Sequence, residues 1–170
     1  MTAEHNGSGA VPWPQTRVRF ATMDDLNELM ALCRNLAREN AIAPMMDNLV
    51  FDLLVGCLTH RTGFVGVIGE PGKIEGAMCL RWGSLWYNNS YWWLEDAFCH
   101  VLPEHRSSNN AADLMDWSSW WADSLGIPLM LGIVSNERTR AKIKLYERKL
   151  GPMSGALFLV GAKTGLTQEQ

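Results

Sequence analysis

Residues 91–125, YWWLEDAFCHVLPEHRSSNNAADLMDWSSWWADSL, decide the fold. The stretch opens as an apolar strand from Tyr91 to Val101 and turns at Pro103. A polar loop from Arg106 to Ala111 follows, and then an amphipathic helix. Leu114, Trp117, Ser118, Trp121, Ala122 and Leu125 fall on one face of that helix, and Gly126 with Pro128 stops it. A strand that feeds a short loop and a helix N-terminus lets backbone N–H groups converge on an anion such as a phosphate. Glu95 and Asp96 stand on that strand, where an unpaired charge is costly. Each is therefore a candidate either for chemistry or for a structural ion pair.

Working outward, Thr16 to Ala21 alternates like a short strand, and Thr22 with Asp25 resembles a helix cap. Leu26, Leu29, Met30, Cys33, Leu36 and Ala37 recur at helical spacing through about Asn40. Pro44 interrupts, and Met46 to Leu58 reads as a second helix. Thr62 to Gly69 and Lys73 to Trp82 form a hairpin around Glu70-Pro71-Gly72-Lys73, and Tyr87 to Ser90 is a further turn. Beyond the decisive stretch, Leu129 to Ser135 is a fully apolar strand suited to a sheet centre. Arg138 to Leu150 is a helix with Ile143, Tyr146 and Leu150 on one side, and Ser154 to Ala162 is the last strand. The order β-α-α-β-β-β-α-β-α-β predicts an α+β domain, a central mixed sheet flanked by about four helices. Residues 1–15 read as a mobile tail, 16–163 as one domain and 164–170 as a frayed end.

Composition narrows the function classes. A chain of 170 residues with 47% apolar and 19% charged residues is one ordinary globular domain. A formal net charge of −3 gives no global basic field for nucleic acid. Cys33, Cys57, Cys79 and Cys99 show no CxxC spacing, so they read as thiols of a reducing compartment, with no disulfide frame and no metal site. No apolar run reaches the roughly 18–20 residues that cross a bilayer, and no basic-then-apolar leader opens the chain. The expectation is a cytoplasmic protein without a membrane partner.

Residues 101–111, VLPEHRSSNNA, resemble the GNAT N-acyltransferase signature VxPExRxxGxG/A. Ser135-Asn136, Ala141 and the run LYERKLG (Leu145 to Gly151) are similar to the later NxxxxAxxLYEKLG segment of the same family. The element order also matches over nearly all of Thr16 to Ala162. Short tryptophan-rich sequences of this kind further resemble GNAT proteins encoded by bacteriophages, which would put the protein in a host cytoplasm. The resemblance implies an acyltransferase that moves acetyl from acetyl-CoA to a primary amine by direct attack in a ternary complex, without metal. It also shows departures. Asn109 stands where the family has a loop glycine, and one extra residue separates Tyr146 from Gly151. Glycine serves there for positive φ or close approach to phosphate.

On that resemblance, the pyrophosphate site is the loop Arg106, Ser107, Ser108, Asn109, Asn110 and Ala111, with Asn136 contributing from the later motif. Arg106 and Ser107 would add charged and hydroxyl contacts. Backbone atoms of Cys99, His100 and Val101 would pair with the pantetheine amides, while the His100 ring reads as packing. Tyr146 would protonate or hydrogen-bond the departing thiolate. An ammonium has no lone pair with which to attack, so a base is needed. Glu95 or Asp96 would serve, Glu95 first. The tryptophans read as core or subunit contact, allowing a homodimer, with an aromatic cleft for a cation as the other use. Arg138, Arg140, Lys142, Lys144, Arg148 and Lys149 make a basic helix, a solvated face or an attractor for the cofactor's 3′-phosphate. Two other functions stay open: a degenerate binding module acting through protein contacts, and modification of an amine carried on nucleic acid.

Overall fold

The structure, a computed structural model, describes residues 13–14, 16–133 and 139–155. Its five strands lie in sequence order in one sheet: β1 (Arg19–Phe20), β2 (Gly63–Ile68), β3 (Gly76–Leu85), β4 (Asn88–Val101) and β5 (Leu129–Met130). The first four are mutually antiparallel and β5 runs parallel to β4, so the sheet is mixed. Helices α1 (Leu26–Asn40) and α2 (Asp47–Leu58) precede β2. Helix α3 (Asn110–Leu125) joins β4 to β5, and α4 (Thr139–Leu150) follows.

Local chemistry sets these boundaries. The Asp25 carboxylate accepts the Thr22 backbone N–H at 2.9 Å and two bonds from the Arg19 guanidinium at 2.8 and 2.7 Å. Asp25 is buried, and the Arg19 hydrogen bonds hold its carboxyl below the usual range. The turn into α1 is thereby tied to β1. Helix α1 ends where Ala41 enters the left-handed region at φ 49°.

Two apolar clusters sandwich the sheet. Leu29, Leu54, Cys57, Val65, Val67, Ala77, Cys79 and Phe98 pack under α1 and α2. Phe64, Ile68, Met78, Leu80, Leu94, Leu114 and Trp117 pack under α3. Strand β2 is buried on both faces, as its apolar run requires. Its Gly66 forms a socket, because a Cβ there would lie 2.7 Å from the Trp117 ring.

Several expectations change. The hairpin turn is Trp86-Tyr87, and Asn88 to Ser90 belongs to β4. Leu85 pairs with Asn88 but Ser84 with Trp92, so the Asn/Ser cluster makes an irregular strand end. Leu125 and Leu150 are 43% and 41% exposed, and Leu145 with Tyr146 carries the packing of α4. Leu131 to Ile133 have left the sheet, and Met130 is 52% exposed. Trp13 meets the Trp120 ring at 4.7 Å and that of Trp121 at 6.0 Å, which docks this part of the N-terminal segment on α3. Asn136 and most of the expected last strand lie outside the described residues. Among the described residues, no helix is long and apolar enough to cross a membrane.

Candidate active site

Strand β4 carries a fault that sequence reading missed. Cys79 pairs with Phe98 while Leu80 pairs with Asp96, so Ala97 is an extra, unpaired residue. Side chains alternate along a strand, and one extra residue reverses the parity beyond it. Leu94 and Asp96 therefore share the α3–α4 side with Cys99 and Val101, and Glu95 shares the α1–α2 side with Phe98 and His100. No glycine or proline marks this position, so the sequence offered no local signal.

The partner strand ends at the same place. β5 pairs with β4 only at Leu94↔Leu129 and Glu95↔Met130. The next link is a side chain: the Gly132 N–H donates to Asp96 Oδ1 at 2.7 Å. Among the described residues, no strand covers the outer edge of β4 from Asp96 to Val101. Among the described residues, a wedge is thus left open along β4 toward the loop before α3.

That loop is braced from several sides. Arg106 donates through Nε to the Val101 carbonyl at 2.9 Å and through its guanidinium to both Glu39 oxygens at 2.7 and 2.6 Å. Arg106 therefore ties the loop to β4 through Nε and to α1 through one terminal nitrogen. Ser108 Oγ donates to the His105 carbonyl at 2.6 Å and accepts the Asn110 N–H at 3.2 Å. The Asn110 side chain is buried, donates to Glu75 at 2.8 Å and accepts from Arg17. In the first turn of α3, Ala111 and Ala112 bring N–H groups that have no partner within the helix. Asn109 sits at φ −83° and ψ 5°, so the backbone here asks for no left-handed residue. The missing glycine carries no conformational cost.

On the α3–α4 side, Asp96, Cys99 and Tyr146 interact. Burial pushes the Asp96 carboxyl up to about 6, opposed by its bond from Gly132. Burial also raises Cys99 to about 12, against the effect of a Tyr146 hydrogen bond. Tyr146 is raised well above an ordinary phenol, first by burial and then by Cys99 and Asp96. It stays protonated and can donate. Lys142 of α4 lies close enough to draw Asp96 and Cys99 downward.

On the α1–α2 side, Glu95 faces Arg81 across the strands at 3.3 Å and accepts from Trp93 Nε1 at 3.2 Å. His100, on the same side, is buried with Nε2 2.8 Å from Asn35 Oδ1, and burial lowers it to about 4. It is neutral and engaged with α1, a packing residue in this geometry.

No family model and no curated protein matches the chain. Solved structures do. A predicted acetyltransferase with acetyl-CoA from Clostridium acetobutylicum superposes with TM-score 0.66 at 15% identity, covering 85% of this chain and 96% of that one. A GCN5-related N-acetyltransferase from Ralstonia eutropha JMP134 gives TM-score 0.66 at 20% identity, with 84% and 97% covered. AAC(6')-Iy in complex with the bisubstrate analog CoA-S-monomethyl-acetylneamine gives 0.64 at 15%, with 86% and 97% covered. The chain is similar to these in architecture, and its fold is that of the GNAT acetyltransferases.

Proposed function

We propose that this protein is an N-acetyltransferase that passes acetyl from acetyl-CoA to a primary amine by direct attack. The observation that carries the reading is the wedge. The β4 edge opens at Asp96, leads to unsatisfied amides at the start of α3, and has Glu95 on one side and Tyr146 on the other. Solved structures of this fold whose own descriptions include acetyl-CoA or CoA support the choice of donor.

In this reading the edge amides of Cys99 and Val101 hold the pantetheine arm, with His100 fixing the strand against α1. The amides of Ser107, Asn109 and Ala111 face the pyrophosphate, aided by the helix dipole, while those of Ser108 and Asn110 are bonded within the loop. Ser108, Asn110 and Arg106 shape that loop, and Asn136 is proposed to join it. Glu95 accepts a proton from the acceptor ammonium. The freed nitrogen lone pair attacks the thioester carbonyl, the C–S bond breaks, and Tyr146 donates to the departing thiolate. Asp96 lies beside Tyr146 and stands in reserve as the alternative base.

Calorimetric titration of acetyl-CoA into the wild type and Asn109→Glu tests the donor site. Micromolar binding that is lost in the variant is expected, since a carboxylate would repel the pyrophosphate. Equal affinity for both would remove the loop from the site. One observation favours the second reading, a binding module: Trp86 is 94% exposed and Tyr87 67% exposed at the hairpin tip. In that case neither protein would take up acetyl-CoA. The tip would also be the natural contact of a homodimer.

A further inference from the structure

We propose that Trp93 is a positioning residue that aims the Glu95 carboxylate, and that Gly83 is what permits it. The inference rests on Glu95 as the base. On the α1–α2 side of β3 and β4, Arg81 lies opposite Glu95 and Gly83 opposite Trp93. Trp93 and Glu95, two apart on one strand, share a face. The indole reaches along the strand toward Glu95 and donates from Nε1 to Glu95 Oε2 at 3.2 Å, while Arg81 holds Oε1 at 3.3 Å. Each oxygen has its own donor.

The indole can take this path only over a residue without a side chain. A Cβ on Gly83 would stand 2.2 Å from Trp93 Nε1 and 2.8 Å from Glu95 Oε2. Both distances are far inside contact, and they strike the two bonded atoms.

The two donors differ in kind. Arg81 is a cation whose side chain is 45% exposed, beside a carboxylate 32% exposed, so their pair is weak and exchangeable. An acceptor ammonium can take the place of Arg81 on Oε1. The indole is neutral and donor-only, so it orients the carboxylate without competing as a cation and cannot carry the proton away. One oxygen is fixed and the other is left for the substrate. Geometry of this kind matters, because small misplacements of a reacting group cost large factors in rate.

A double-mutant cycle tests the role. Trp93→Phe keeps an aromatic side chain, smaller than the indole, and deletes the N–H. In the wild-type background kcat is expected to fall about tenfold, with KM for acetyl-CoA unchanged; in Glu95→Gln the same change should alter kcat less than about twofold. Equal losses in both backgrounds would show that Trp93 only supports the fold and overturn the proposal. Gly83→Ala is expected to reproduce the loss in kcat without an additional loss in Glu95→Gln. The contact has a readout that needs no turnover. In 15N-labelled protein, the indole resonance missing from Trp93→Phe should move in Glu95→Ala, and a stationary resonance would defeat the positioning role outright. A resonance that moves, joined to a Glu95→Gln enzyme of undiminished kcat, overturns the base assignment and the role built on it.

Discussion

Glu95 and Asp96 are neighbours in the chain and strangers in the fold. Glu95 lies on the α1–α2 side, partly exposed, with a donor on each oxygen. Asp96 lies on the α3–α4 side, bridged to Gly132 and beside Cys99 and Tyr146, with its carboxyl held up to about 6 by burial. The same functional group therefore has two trades. In the proposed reaction, one accepts a proton from an incoming amine. The other holds two strands at the point where they part. Residue type and position in sequence do not separate them; the side of the sheet does.

The largest test of this division is catalytic. Glu95→Gln is expected to lower kcat about 10²–10³-fold, whereas Asp96→Asn, which keeps an acceptor for Gly132, should cost less than about tenfold. Steady-state rates at saturating acetyl-CoA decide it, and the reverse ranking would exchange the two roles. Tyr146→Phe should follow with a loss of about 10–50-fold in kcat and an unchanged KM for acetyl-CoA, since it touches only the leaving thiolate. An equal loss in binding would instead make Tyr146 a packing residue.

The smallest effect is on stability and depends on pH. The folded state keeps the Asp96 proton to about 6, while an unfolded carboxyl releases it near 4. The folded state binds more protons over that window, so stability falls as pH rises through it. Asp96→Asn removes the loss and should be more stable than wild type by about 1–2 kcal/mol near pH 7.5, with the gain gone near pH 4. Melting curves across that range suffice, and a gain at low pH alone would contradict the sign.

Much of this was legible in the chain because periodicity and punctuation speak locally. Helix α1 spans Leu26–Asn40 as its spacing demands, and α3 begins at Asn110, within the last two residues read as polar loop. What escaped was non-local or unmarked. Ala97 is an ordinary residue in an ordinary strand, and only pairing with β3 reveals it as surplus. Arg106 reads as a cation for phosphate, and its bond to Glu39, 67 residues earlier, leaves no mark in the sequence. Asn88 to Ser90 has turn chemistry but lies within a long hairpin. The two faces of β4 could not be assigned along its whole length for the first of these reasons, because parity cannot be counted across a bulge that has not been seen.

The Arg106 clamp has a thermodynamic corollary. With Glu39, the Val101 carbonyl and Ser108 holding the loop between β4 and α3, its backbone is already ordered before any ligand arrives. An anion that docks there meets a rigid host and forfeits little chain entropy on arrival. Affinity would then be lost by loosening the host as readily as by removing a contact. Glu39, which faces the clamp and not the ligand, would be felt in the entropy of association before it was felt in the enthalpy.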